Sequence, residues 1–338
     1  MLRPENPEQL AVLLRDAACA HRTIRLGGNF SKDCLGGSPT PADVTISTAS
    51  MNRLLQYEPR DLTISVEAGM PFSELVDLLA ANHQMLPLDP PWLLDSTVGG
   101  VLAANLSGPR RRLYGAARDM VIGMTFATLE GKLINSGGMV VKNVAGLDMA
   151  KLMIGSFGTL AAIATVNFKV FPAPVGSRTF VMEFATAAEA FAERDRVLSS
   201  VLQPSAIDIV NWPRGFRLLI RAGGKDAVLS RYARELPLAR IENDDAWDAI
   251  YEFPRHFLAA NPSGKIIPMA IPLSKMCEAV ESLTVPFIAR AGSGVIYAHY
   301  SMGAPETLLA SDFATMTKVK EMFDPERLLN RGRLYGRI

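Results

Sequence analysis

Ser96-Thr97-Val98-Gly99-Gly100, Asn105-Leu106-Ser107-Gly108-Pro109, Gly137-Gly138-Met139-Val140-Val141-Lys142-Asn143-Val144-Ala145-Gly146 and Gly155-Ser156-Phe157-Gly158-Thr159-Leu160 punctuate one apolar stretch of the chain. Their intervals are too irregular for a repeat. Glycine reaches positive φ and lets the backbone approach a ligand without a Cβ in the way, so such clusters bring amide donors close to an anion. A large phosphate-bearing cofactor is the guest this pattern suits.

Upstream, Thr23-Ile24-Arg25-Leu26 reads as a strand running into Gly27-Gly28-Asn29-Phe30-Ser31-Lys32, a fifth amide-rich turn. Before it, Asn6-Pro7-Glu8-Gln9 forms a helix start, with Leu10, Leu13, Leu14, Ala17 and Ala18 at helical spacing. Leu62, Ile64 and Val66 alternate as a strand, and Pro71 opens a helix with Phe72, Leu75 and Leu79 on one face. Glu130-Gly131 between two strand-like runs reads as a hairpin turn, and 160–170 as a long strand stopped by Pro172-Ala173-Pro174. Beyond that pair the pattern becomes α+β with few glycine clusters: a strand at 180–184, a helix at 187–202, strands near Ile207 and Leu218, and a helix at 227–235. An amphipathic helix ending at Phe323-Asp324-Pro325 leads into Leu328-Leu329-Asn330-Arg331-Gly332-Arg333.

The chain has 338 residues, 49% of them hydrophobic, enough for two cored domains. Its 35 basic and 34 acidic side chains leave a net charge of +1, with no electrostatic footprint for nucleic acid or an anionic membrane. Arg110-Arg111-Arg112 is too short to change that and reads mainly as a solvated loop. Cys19, Cys34 and Cys277 are isolated, which fits a reducing compartment and a cytoplasmic location. Neither a signal-peptide pattern nor an 18-residue apolar run is present in the sequence.

No Gly-x-Gly-x-x-Gly stands in a strand-turn-helix context, which disfavours a Rossmann NAD site. The motifs instead resemble, in order and spacing, the flavoproteins with an FAD domain of the vanillyl-alcohol oxidase and p-cresol methylhydroxylase (PCMH) type. They are the 27–31 loop, Met51-Asn52-Arg53-Leu54, Val66-Glu67-Ala68-Gly69, Leu88-Asp89-Pro90-Pro91, Ser96 to Gly100, Asn105 to Arg111, Tyr114-Gly115, Arg118-Asp119, Val141 to Gly146, Gly155 to Leu160, and the tail from Phe323 to Arg333. Within that family the Ser107-Gly108-Pro109-Arg110-Arg111 and Lys142-Asn143-Val144-Ala145-Gly146 wording is similar to the FAD-binding subunits of bacterial glycolate oxidases.

The resemblance implies an α+β protein: a two-lobed FAD domain over 1–171, an α+β cap over 172–315, and a tail over 316–338 that returns to the FAD domain. It implies that backbone amides of Gly27, Gly28, Asn29, Phe30 and Ser31, with Gly99 and Gly100, hold the cofactor pyrophosphate without a dedicated cation. Ala103, Ala104 and Gly108 let the chain pass close to the cofactor. Pro90, Ser96, Thr97, Asn105, Tyr114, Asn143 and Gly146 fall in the matched motifs on the cofactor side. Gly155, Gly158, Thr159, Leu160 and Ile163 would line the adenine and ribose, and Asn330 the flavin ring. Lys142 either contacts the cofactor or braces its turn. Asp119 either faces the site or caps a helix.

Departures from the family bear on the chemistry. The histidine-rich metal and substrate segment of its 2-hydroxy-acid dehydrogenases is replaced by Arg290-Ala291-Gly292-Ser293-Gly294-Val295-Ile296-Tyr297, so no metal site is expected. The first loop lacks a histidine for covalent attachment, which implies non-covalent FAD, and Phe157 stands where an acidic residue is common. Of the histidines, His21 and His83 end helices, His256 has no partner motif, and His299 lies in a strand-like cap segment. Arg290, His299 and Tyr300 are the catalytic candidates, Arg290 for a substrate carboxylate.

The reading implied is an FAD-binding subunit of a glycolate oxidase complex, relaying electrons beside a larger FAD-linked subunit and an iron-sulfur subunit, with a small hydroxy acid such as glycolate as substrate. A free-standing FAD oxidoreductase and a non-catalytic FAD-fold scaffold remain as alternatives.

Overall fold

The computed structural model describes residues 1–37, 39–139, 148–243, 245–304 and 313–337. The chain divides into two compact units. The first contains Met1–Leu106, Ala116–Ala173 and the C-terminal segment from Ala310.

In the first unit the helix Pro7–Cys19 starts as read: Asn6 Oδ1 accepts from Gln9 N at 2.9 Å, and Gln9 Oε1 accepts from Glu5 N at 2.9 Å. Its buried Leu10, Ala11, Leu14 and Ala17 pack on Ile24, Leu26, Val44 and Ile46, each full leucine burial contributing about 2 kcal/mol. Ile24–Gly27 and Val44–Ser47 pair in parallel, and the tail joins the free edge of the former: Ile24 N donates to Leu328 O at 2.8 Å and Asn330 N to Ile24 O at 2.9 Å. A five-stranded antiparallel sheet runs Leu54–Glu58, Thr63–Glu67, Ala162–Lys169, Val121–Ala127, Leu133–Gly137. The Glu130-Gly131 hairpin forms, with Gly131 at φ 76°.

The second unit comprises Ser107–Gly115 and Pro174–Leu309. Its seven-stranded antiparallel sheet runs Arg240–Glu242, Gly176–Phe184, Phe216–Gly224, Ala206–Val210, Phe287–Arg290, Val295–Tyr300, Lys265–Ala270. Strand alternation gives it two apolar faces. Phe180, Ile207, Ile209, Leu218, Ile220 and Phe287 pack with the helices Ala187–Leu198, Asp226–Glu235 and Met276–Glu281. Val181, Val210, Leu219 and Ile288 pack with Trp247 and Ile250 of the helix Asp245–Ala260.

The helix read over 187–202 is capped by Thr186 and Glu189 but stops at Leu198, and Leu202 is buried from the turn that follows. Asp245–Ala260 has no counterpart in the sequence reading because Pro254 lies inside it and breaks the local pattern. Its anchor is tertiary, Trp247 Nε1 donating to Thr179 Oγ1 at 2.9 Å. The arginine run packs with the second unit: Arg111 is exposed, but Arg112 is half-buried and donates to Pro204 O at 3.4 Å. Gly292 admits its stem, since a Cβ there would lie 2.5 Å from Arg112 Cδ.

Candidate cofactor site

A cleft in the first unit forms where the strand Ile24–Gly27 ends. Phe30 takes the left-handed conformation, φ 57°, which curls the turn, and residues 27–33 line one concavity. The amides of Gly28, Asn29, Phe30 and Ser31 meet no acceptor among the described residues. The turn is tied down by other groups: Ser47 Oγ donates to Gly28 O at 2.8 Å, Thr48 Oγ1 to Gly27 O at 3.4 Å, and the Asn29 side chain donates from Nδ2 to Asp95 O at 3.3 Å. The result is a fixed row of donors suited to an anion.

The second wall is the start of the short helix Val98–Ala103, capped by Thr97, whose Oγ1 accepts from Gly100 N at 3.2 Å. Here the expectation is corrected, because the amides of Gly99 and Gly100 are already used. Gly99 N donates to Ala68 O at 2.7 Å, as Val98 N does to Met70 O at 2.9 Å. Gly99 and Gly100 still line the cleft with Ala103 and Ala104, so this wall contributes close approach instead of charge neutralisation. A Cβ on Gly99 would lie 2.9 Å from Ala68 Cβ. The third wall is Phe157, Gly158, Ala161 and Ile163.

Two cations that the sequence reading missed line the cleft. Lys32, 8% exposed, donates from Nζ to Pro91 O at 2.9 Å and to Ser96 Oγ at 2.5 Å, beside the Trp92 ring. Arg333, 4% exposed, donates from Nη2 to Asp33 Oδ1 at 2.6 Å, and Asp33 also pairs with Arg25. Lys32 sat in view inside the glycine turn. Arg333 lay 300 residues from its partner and carried no local signal.

The other sequence candidates are dispersed. Pro90 is buried off the cleft, and the Ser96 hydroxyl donates to Trp92 O at 2.6 Å while accepting from Lys32. Asn105 is exposed at φ 52° against Gly155. Asp119 is exposed and its Oδ2 accepts from Ala116 N at 2.8 Å, so it is a helix cap. Gly108 and Tyr114 pack with the second unit, where burial raises the Tyr114 pKa. Gly155, Thr159 and Leu160 border a separate cavity of about 310 Å³ behind the Phe157 loop. Asn330 is spent on backbone, its Oδ1 accepting from Leu26 N at 2.7 Å, so it supports the cleft from behind instead of facing it. Lys142, Asn143 and Gly146 lie outside the described residues.

In the second unit Arg290 is 9% exposed and paired with the fully buried Asp208, so its charge is already compensated. His299 has no exposed surface. Among the described residues neither of its ring nitrogens reaches a partner at full hydrogen-bond geometry, the edges of Phe253 and Phe257 flank it, and burial pushes its pKa down to about 4, opposed by the Tyr297 and Pro286 backbone. Tyr300 is half-buried on the strand Val295–Tyr300. Among the described residues no group of three or more His, Cys, Asp or Glu is placed to hold a metal ion.

Residues 1–137 match the family model described as FAD binding domain. The matched residues include the 27–31 turn and the Val98–Ala103 helix that wall the cleft. The whole chain is similar to glycolate oxidase subunit GlcE of Escherichia coli K12, 29% identical over 358 aligned residues that span 100% of both chains. It is 26% identical over 215 residues to glycolate oxidase subunit GlcD of Bacillus subtilis, spanning 63% of this chain but 45% of that one. A solved alkyldihydroxyacetonephosphate synthase shares the fold, with TM-score 0.74 at 18% identity over 97% of this chain and 75% of its own. The two curated relatives are named as subunits of an oxidase.

FAD fits the cleft on the structure's own terms. Residues 28–31, whose amides meet no acceptor among the described residues, belong to its lining, Gly28 lets the turn lie against Thr97, and Lys32 and Arg333 stand on its walls. The amides of 28–31 suit the diphosphate, and Ala103, Ala104 and Gly99 allow a flat group to approach the backbone. When bound, FAD supplies the capacity to take up a hydride's electron pair, and the protein supplies position and electrostatics.

Proposed function

We propose that the chain is the FAD-binding subunit of a glycolate oxidase complex and holds FAD non-covalently. The observation that carries this reading is the end-to-end correspondence with the E. coli subunit, both units included. The partners on this reading are a larger FAD-linked subunit and an iron-sulfur subunit, and the substrate is a small 2-hydroxy acid such as glycolate. Residues 1–171 bind the cofactor, 172–315 form the cap, and 316–338 form the returning tail. No helix among the described residues is long and apolar enough to cross a membrane. A cytoplasmic location, with any membrane contact made through partners, belongs to the same proposal.

A relay or assembly role is supported by the second unit's catalytic candidates. Arg290 is held by Asp208, and His299 is enclosed by Phe253 and Phe257, so neither presents a ready group to a hydroxy acid. The test is dye-linked oxidation of glycolate and D-lactate by the purified chain alone and by the chain coexpressed with candidate partner subunits. The reading predicts flavin in both preparations and turnover only with partners. Equal turnover by the chain alone would contradict it and favour a free-standing oxidoreductase.

A further inference from the structure

The tail spends its buried polar side chains on the loops that frame the cofactor cleft. Asn330, 3% exposed, uses its acceptor on Leu26 N at 2.7 Å and both amide protons on Leu26 O at 2.9 Å and Phe157 O at 2.8 Å. Leu26 and Phe157 belong to two different walls of the cleft, so one side chain ties those walls together. Gly158 makes room for it, because a Cβ there would stand 2.7 Å from Asn330 Nδ2. A glycine that sequence reading assigns to the cofactor therefore serves the staple.

Arg333 repeats the arrangement three residues on. Its Nη1 donates to the carbonyls of Asp33, Leu35 and Gly37 at 3.1, 3.2 and 3.2 Å, fixing the loop that follows the amide row. Its guanidinium stands 5.8 Å from the Phe157 ring centroid on the opposing loop. Its buried Nε has no partner among the described residues. Upstream, Lys320 reaches Thr159 O at 2.7 Å and Asp324 at 2.5 Å, fastening the start of the tail to the same Phe157 loop. The tail is thereby bonded to loops on both sides of the cleft.

We infer that the C-terminal tail is the closing strap of the cleft, and that Asn330 and Arg333 are positioning residues that set how slowly FAD leaves. The inference rests on the cofactor reading above. Because the strap and the cofactor hold the same two loops, each stabilises the other's bound state by linkage.

The experiment uses the full-length holoprotein and follows flavin release on dilution through the change in flavin fluorescence. Asn330→Ala and Arg333→Gln are expected to release FAD about 10–100-fold faster, the loss of two or three buried hydrogen bonds, and Arg333→Lys to recover part of the difference. FAD is also expected to slow carboxypeptidase trimming of the wild-type tail. Release at the wild-type rate from the variants, or trimming that ignores FAD, would overturn the inference. So would an equal fall in melting temperature of apo and holo forms with release unchanged, the signature of a purely structural tail. If Asn330→Ala does not fold, Arg333→Gln with its Arg333→Lys partner carries the same test. A wild-type chain that binds no FAD removes the cofactor reading itself. Wild-type and variant chains that hold FAD equally remove only the strap.

Discussion

Gly28 and Thr97 meet across the cleft so closely that a Cβ on Gly28 would lie 2.2 Å from Thr97 Oγ1. The same hydroxyl caps the Val98–Ala103 helix, so it cannot turn aside without freeing Gly100 N. Gly28→Ala is expected to push the amide row out of line and weaken FAD binding at least about 10-fold, a loss of one to two charge-assisted hydrogen bonds. Titration of the apoprotein with FAD checks this, and circular dichroism shows whether the fold is retained.

Lys32 places a cation on the cleft wall beside those amides, where it donates to Pro91 O and Ser96 Oγ. Lys32→Met is expected to weaken FAD binding by about 10–100-fold while leaving riboflavin binding nearly unchanged, because riboflavin has no phosphate. Parallel titrations with the two flavins decide it. An equal loss for both would mean that Lys32 acts only by welding its loop to the 91–96 segment.

Lys320 and Asp324 form a buried pair in which both charges have further partners: Asp324 accepts from Leu328 N at 2.8 Å and Leu329 N at 2.7 Å. Burial pushes the Lys320 ammonium below its ordinary pKa, although Asp324 opposes the shift. Removing one partner strands the other, so Lys320→Met is expected to cost about 3–5 kcal/mol in denaturant unfolding. Lys320→Met combined with Asp324→Leu is expected to recover part of that, since no buried charge then remains.

His299 is expected to make the second unit acid-sensitive. Its folded-state pKa of about 4 lies below the ordinary value of 6.5, so between those values the unfolded chain binds more protons. The contribution is fully present above pH 6.5 and is lost as pH falls towards 4. At pH 5 the wild type is expected to have lost about 2 kcal/mol relative to pH 8 that His299→Leu does not lose. Urea unfolding of both proteins at the two pH values measures the difference.

These side chains also show where sequence reading reaches and where it stops. The strand-to-turn step at Leu26-Gly27-Gly28, the capped helix after Asn6 and the Glu130-Gly131 hairpin are local, so composition and period are enough to reveal them. Gly99, Gly100 and Gly158 were legible as special positions but not in their roles. Close packing against Ala68 and room for Asn330 look the same in sequence as phosphate contact. Arg333, Lys320 and Asn330 act on residues roughly 160 to 300 positions away, and only the folded chain brings them there. The helix Asp245–Ala260 was hidden by Pro254 and forms because Trp247 and Ile250 have an apolar sheet face to cover.

The central claim is that residues 28–31 and the walls around them hold a dissociable FAD. The most direct measurement is the visible spectrum of the purified chain, followed by acid precipitation and identification of the flavin in the supernatant. The account predicts a yellow protein that yields one FAD per chain to the supernatant and takes it up again after removal. A colourless chain that acquires no flavin from excess FAD would contradict it, and colour retained in the acid pellet would contradict non-covalent attachment.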